Sequence, residues 1–292
     1  MNYKKTVGDY VFNITNYFIM CFIGFIMLYP FYYLLIVSFS HIADVMTGKV
    51  VFWPHHFTLE TYKFVLKNKM IPKSYMITIF ITVVGTSVSL FLTTIGAYVL
   101  SKKYLPGRKS LTLFVVITMM FEGGLIPFYL TVRYLGLIDT VWALIFPVCV
   151  SSYNMIIMRN FFMHIPISLE ESAFIDGCSH TQILCRIILP ISMPVIATIS
   201  LFYAVGYWNA FFYATIFLNN TELWPMQVIL REILTQGRLE NLLLLDNRYR
   251  AGKSQEIIKA CLIIITVLPI ICVYPFLQKY FVKGVLLGSL KG

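Results

Sequence analysis

The sequence predicts an all-α protein that crosses a membrane several times, and three observations predict it. Apolar residues make up 59% of the chain and charged residues 12%, with a mean hydropathy of +0.78, whereas soluble domains carry about 45–50% and about 25%. Uncharged runs long enough to cross about 30 Å of hydrocarbon as helices recur along the chain. Short connections rich in charge, proline and glycine separate them. The 292 residues are thus taken up by six expected spans, at about 11–39, 74–100, 111–132, 140–158, 190–218 and 257–277, with residues 1–292 forming a single transmembrane domain.

The first span, Val11 to Phe39, is uncharged, follows Lys4 and Lys5, and contains Pro30 as an expected kink. It is too long, and lacks the small-residue cleavage site, to be a secretory signal, so it should remain as a span. A polar segment from His41 to Lys73 follows, with Trp53-Pro54 and an amphipathic piece from Leu59 to Leu66 expected at the interface. After the second span, Lys102, Lys103, Arg108 and Lys109 crowd a turn containing Pro106-Gly107. The third span is interrupted by Phe121-Glu122-Gly123-Gly124 and Pro127. Such a break at membrane depth is tolerable only where protein or a water-filled cavity covers it.

The fourth span holds Pro147, and the fifth carries Tyr203, Tyr207, Trp208, Asn209, Phe211 and Phe212. In the loop from Asn219 to Glu256, Met226, Ile229, Leu230 and Ile233 recur at helical spacing, predicting a short helix over Pro225–Leu234 that dips into the outer surface. The sixth span ends in a tail with Lys279, Lys283 and Lys291. Six spans put both termini on one side. Total Lys and Arg do not separate the two faces, but their density in the 101–110 turn places the termini in the cytoplasm.

Between the fourth and fifth spans, residues 159–189 are the oddest stretch in so apolar a chain. Ser168 three residues before Glu171 reads as a capping box just after Pro166, and Gly177 as a left-handed stop. A second helix should run through Gln182 to Ile188 and bend at Pro190 into the next span. Two short helices meeting at a Gly turn make a compact knob, with Leu169, Ala173 and Phe174 on its exposed side.

The run Glu171-Ser172-Ala173-Phe174-Ile175-Asp176-Gly177, followed by Ile187-Ile188-Leu189-Pro190, resembles the EAA loop of binding-protein-dependent ABC importers, with Ser172 replacing the first Ala. Phe121 to Pro127, Arg159-Asn160-Phe161-Phe162, Trp208-Asn209 with Phe211-Phe212, and the closing Phe281 to Gly292 are similar to the sugar-transporting branch. The resemblance implies a type I importer permease in the bacterial cytoplasmic membrane, with the loop as the cytoplasmic coupling helix. Glu170, Glu171, Ser172, Ala173, Phe174, Asp176, Gly177, Leu189 and Pro190 would meet the ATPase. It further implies a second, homologous permease as heterodimer partner, two ATPase subunits and an extracytoplasmic solute-binding protein. ATP and magnesium would be used by the ATPase, and no cofactor would be bound by this chain.

Sugars are held by aromatic faces and by amide or carboxylate groups. Tyr203, Tyr207, Trp208, Asn209 and Phe212 supply both on one span, with Glu122 as an acidic candidate. The plainer alternative is that the aromatics pack between helices, and that Glu122 is a cap or an ion-pair partner. Lys63, Lys67, Lys69 and Lys73 fit either an acidic oligosaccharide or lipid headgroups.

Other classes fit less well. An ion-coupled secondary transporter would want charges buried mid-span. An importer of a non-sugar solute would use the same machinery. An intramembrane enzyme would need a motif that His41, His55, His56, His164 and His180, all in loops, do not form. Gly252-Lys253-Ser254 lacks the earlier glycine of a phosphate loop, position 247 being Asn247. The six cysteines, with no Cys-x-x-Cys pair, read as small apolar fillers. The net charge of +10 suits anionic lipid; no basic stretch is interleaved for nucleic acid.

Overall fold

In the computed structural model, residues 7–48, 50, 52–121, 123–235 and 252–289 are described, with backbone alone at 252–254, 274 and 276–289. Glu122, Lys4 and Lys5 lie outside the described residues, as does most of the 219–256 loop beyond Thr235. The helices are α1 (Val7–Ser38), α2 (Ile42–Met46), α3 (Glu60–Lys67), α4 (Met70–Ser101), α5 (Arg108–Met120), α6 (Leu125–Tyr134), α7 (Ser152–Met163), α8 (Ile167–Ile175), α9 (His180–Ile183), α10 (Leu189–Ile191), α11 (Met193–Trp208), α12 (Phe212–Phe217), α13 (Met226–Thr235) and α14 (Gly252–Ser289). Among the described residues, three stretches, Val7–Ser38, Met70–Ser101 and Gln255–Val273, are long and apolar enough to cross a bilayer. Three bent pairs would bring the number to six: α5 with α6, the turns of Val141–Val148 with α7, and His180–Ile191 with α11.

The chain divides into two compact units, Met1–Lys69 with Glu232–Val267, and Met70–Arg231 with Leu268–Gly292. The second is organised by α4 against α11. Lipid tails are as apolar as leucine, so helices in a bilayer gain little by hiding greasy faces and associate through close packing and hydrogen bonds. On α4 the residues that permit this recur every four or seven positions: Ser74, Thr78, Gly85, Ser89, Thr93 and Ala97, all buried. Tyr203 and Tyr207, one turn apart on α11, meet this stripe. The Tyr203 hydroxyl lies 2.6 Å from Thr93 Oγ1, and that of Tyr207 2.8 Å from Ser89 Oγ. Gly85 leaves room for the second ring, since a Cβ there would fall 2.7 Å from Tyr207 Cζ. The Ser151 amide donates to the Tyr203 hydroxyl at 3.0 Å, which ties the start of α7 into the seam.

Three expected spans are broken. The third breaks at Gly123-Gly124 as its glycines predict; Gly124 has φ 83°, and α5 and α6 diverge by 112°. The fourth starts as 3-10 turns, Val141–Leu144 and Phe146–Val148, because Pro147 has no N–H to continue an α-helix. It becomes α7 only after Ser151, whose hydroxyl accepts from the Asn154 amide. The fifth, expected as one helix over 190–218, stops at Trp208, where Asn209 turns its Nδ2 back onto the Val205 carbonyl at 3.0 Å.

Other boundaries also differ. The loop expected from Arg159 begins at His164, because the Arg159 guanidinium donates to the Leu100 carbonyl at 3.1 Å and the helix continues beneath it. The bend expected at Pro190 lies at Ser192. Pro190 lies within the helical arm His180–Ile191, just after a π-helical turn at Leu184–Ile188. The bend to α11 is 84°. The sixth span and the expected tail form one helix running through Pro269 and Pro275.

In the first unit, α1 carries Pro30 without interruption and buries only Ile36, Val37 and Ser38. The expected interfacial piece is α3, with Thr61 and Val65 buried and Lys63 and Lys67 exposed. Phe39 stacks on Phe57 and Tyr62, and the Tyr62 hydroxyl donates to Ser38 Oγ at 2.8 Å. His56 holds the Asp44 carboxyl below its usual range by a 2.9 Å hydrogen bond.

The seam predicts two outcomes. Gly85→Ala should lower the melting temperature in detergent, because the buried Tyr207 ring cannot swing aside and overpacking costs about 1–3 kcal/mol. Tyr203→Phe should cost about 1–3 kcal/mol by leaving the Ser151 amide and Thr93 hydroxyl unpaired. Adding Thr93→Val should then cost less than the sum of the two single changes, measured in the same melts.

Candidate functional site

Two features of the second unit stand apart from its packing: the knob between α7 and α11, and a cavity beside α11.

The knob begins at Ile167, one residue earlier than expected. Pro166 is its N-cap, with φ −58°, and the Ser168 side chain makes no capping bond. A capping box does exist, but in α9: the Ser179 amide donates to Gln182 Oε1 at 2.8 Å and the Gln182 amide to Ser179 Oγ at 3.4 Å. Gly177 ends α8 as predicted, with φ 79°. Its amide bonds to the Phe174 carbonyl at 3.0 Å and that of Cys178 to the Ala173 carbonyl at 2.9 Å, the double bond of a Schellman turn. The His180 ring meets Phe174 edge-on at 4.8 Å and fastens α9 to α8.

The faces of α8 differ from expectation. Ala173 points inward and is 5% exposed, packing into the hydrophobic core, so it is no part of the apolar tip. Leu169 and Phe174 are exposed, and Ile175 is 87% exposed. Glu171, Ser172, Asp176, Gly177 and Pro190 are exposed, Leu189 is half-buried, and Glu170 turns inward to Lys102. The spacing in this run is therefore two-sided, with a small residue against the body and carboxylates outward.

The cavity, of about 400 Å³, opens where the fourth and fifth spans break. Tyr203, Gly206 and Tyr207 form one wall, Ser151 and Asn154 another, and Asn209 to Tyr213 the rim. The rings of Tyr203 and Tyr207 border the space while their hydroxyls are held by α4 and Ser151. Asn209 Oδ1 accepts from Gln227 Nε2 of α13 at 3.1 Å. The Arg231 guanidinium lies 4.2 Å over the Phe211 ring. Phe212 is 52% exposed and joins an aromatic run with Tyr213 and Phe217.

Of the candidate substrate residues, Tyr203, Tyr207, Asn209 and Phe212 thus come together. Trp208 does not line the cavity; it is buried, edge-on to Tyr75 at 5.8 Å. Glu122 lies outside the described residues. Ser151, Asn154 and Gly206 escaped the sequence reading. Nothing local marks them, because they border the cavity only through the breaks on either side of it.

One of the four clustered lysines is committed elsewhere. Lys73 pairs with Glu222 at 2.7 Å and pulls that carboxyl below its usual range. A further tie joins the loops at that end. Asp139, with φ 59°, accepts from the Asn219 side chain at 3.1 Å and from the Asn219 and Asn220 amides, which together lower its pKa.

Comparison with known proteins agrees with this geometry. Residues 3–287 match the family of binding-protein-dependent transport system inner membrane components. Protein LplC of Bacillus subtilis is 45% identical over 290 residues, covering 99% of this chain and 97% of that one. The polygalacturonan/rhamnogalacturonan transport system permease protein YtcP of the same organism is 42% identical over 287 residues, covering 97% and 99%. Among solved structures, a bacterial ABC transporter involved in the import of the acidic polysaccharide alginate superimposes with a TM-score of 0.88. It is 34% identical, over 96% of this chain and 100% of that one. The chain therefore belongs to the family of binding-protein-dependent transport system inner membrane components, the permease subunits of ABC importers, and is a transport component rather than an enzyme.

Proposed function

We propose that this permease moves an acidic oligosaccharide, received from an external solute-binding protein, through the cavity beside α11. The observation that carries the reading is the cavity itself. Its volume of about 400 Å³ lies within the range of small-ligand sites, about 300–1,000 Å³. Its wall joins aromatic faces to the amides of Asn209 and Asn154, the pairing that suits a sugar's C–H surfaces and hydroxyls. The named substrates of relatives, polygalacturonan/rhamnogalacturonan and alginate, support the acidic class. So does Arg231, the cation over the rim ring Phe211.

The knob is read as the coupling helix, presenting Glu171, Asp176 and Ile175 to an ATPase in the cytoplasm. Both termini then lie on that side, and the loops joined by Asp139 and Lys73 face the binding protein. A second, homologous permease completes the pathway, and two ATPase subunits use ATP and magnesium. Closure of the ATPase pair moves the knob, and the spans switch from inward- to outward-facing.

Gly177→Leu should abolish transport while the protein stays in the membrane, since the turn needs a φ that leucine adopts only at a cost of about 1–2 kcal/mol. A Cβ at Gly206 would meet nothing within 4 Å, so Gly206→Trp should fill the cavity and stop uptake with little change in melting temperature. In proteoliposomes with the full complex, oligogalacturonate should be taken up in preference to a neutral oligosaccharide of equal length. Arg231→Gln should weaken uptake of the acidic sugar about 10- to 100-fold, as loss of a charged hydrogen bond would, and leave any neutral uptake unaltered. Preference for the neutral sugar would remove the acidic assignment.

A further inference from the structure

The knob is fastened to the body of the second unit at one charged point. Lys102 follows the last residue of α4, and Glu170 is the acidic residue in the first turn of α8. Lys102 Nζ lies 2.5 Å from Glu170 Oε1, and the two side chains are 10% and 13% exposed. The same ammonium sits 3.8 Å from the centroid of the Tyr98 ring, whose edge meets Phe162 of α7. Beside it, Arg108 and Arg159 both donate to the Leu100 carbonyl, at 3.2 and 3.1 Å, and so hold the end of α4 in place. By contrast, Lys73–Glu222 is 49% and 72% exposed, and His56–Asp44 is 78% exposed on the histidine.

That difference decides what the pair can do. A solvated pair under load exchanges its partner for water at little cost, and the load is lost. A pair shielded on both sides cannot be replaced in this way, because separation leaves an uncompensated charge out of water. Glu170 therefore cannot be displaced without drawing Lys102, and with it the end of α4. Eight or nine residues up the same helix, Thr93 holds Tyr203, and Ser89 holds Tyr207 a turn beyond. Both rings form a wall of the cavity.

We propose that the Lys102–Glu170 ion pair is the tether that transmits movement of the knob to α4 and so to the cavity wall. Lys102 and Glu170 are positioning residues, since neither lines the cavity. The proposal rests on reading the knob as the ATPase dock. It differs from that reading in placing the transmission on the inward face of α8, away from the exposed carboxylates.

The test uses the complete complex in proteoliposomes with its ATPase, binding protein and oligogalacturonate. It reads sugar moved per ATP hydrolysed, alongside the melting temperature. Lys102→Met and Glu170→Gln should each lower that ratio at least tenfold, and the exchange Lys102→Glu with Glu170→Lys should recover part of it. Because either single change leaves one shielded charge and can cost folding, the paired variant Lys102→Met with Glu170→Leu is included. Having no orphaned charge, it should melt near the wild type and still be uncoupled. A paired variant that folds and keeps the wild-type ratio overturns the tether. Ser172→Cys, on the exposed side of α8, supplies a crosslink to the ATPase in an otherwise unaltered chain. If that crosslink forms while the ratio never falls, the tether alone is wrong; if it never forms, the docking assignment falls and the tether with it.

Discussion

The rest of the second unit depends on how closely α4 and α11 can approach. Water drives helices together in a soluble protein, but hydrocarbon does not. The contact must come from geometry and from hydrogen bonds that hydrocarbon cannot replace. Gly85 supplies the geometry by letting the Tyr207 ring lie against the α4 backbone. Ser89 and Thr93 supply the hydrogen bonds. These hydroxyls would be expensive to leave unpaired at that depth, so the pairing sets the rotation of α11 about its axis. That rotation in turn decides which residues, Gly206 among them, face open space.

Breaks in the neighbouring spans follow from the same economy of backbone bonds. An interrupted helix exposes N–H and C=O groups that hydrocarbon cannot satisfy. The stretch leading into α7 resolves this with 3-10 turns and the Ser151 cap, and the end of α11 by turning the Asn209 amide onto its own helix. The two breaks border one cavity, so the space exists because the helices that would have filled it stop short. Tyr203 and Tyr207 then edge it with their rings alone, their hydroxyls being committed to the seam.

The knob shows a comparable division of labour within nine residues. One side of α8 carries Ala173 into the hydrophobic core and Glu170 to Lys102, and the other leaves Glu171, Asp176 and Ile175 in the open. A small residue is needed where the helix seats on the body, and charge where it does not. The Schellman turn at Gly177 then sends the chain back beside α8, with Phe174 and His180 closing the angle.

What could be read from the residues was whatever local chemistry dictates. Long uncharged runs give helices of membrane length, two glycines break the third span, and Gly177 ends α8, because each depends on neighbours only a few positions away. The amphipathic spacing around Met226 likewise marked α13. Ser168 and Ser179 both offer the capping-box pattern, and only the backbone, which forms the box at Ser179, distinguishes them. Tertiary structure alone decided that Ala173 and Glu170 face inward, that Tyr203 and Tyr207 surrender their hydroxyls to α4, and that Asn209 interrupts its span. It alone brought Ser151 and Asn154 to the same cavity, and Arg231 over its rim ring Phe211. Hydropathy assigns a residue to the membrane without saying which way it points. In a bilayer that direction is set by the partner helix, which lies dozens of residues away in the chain.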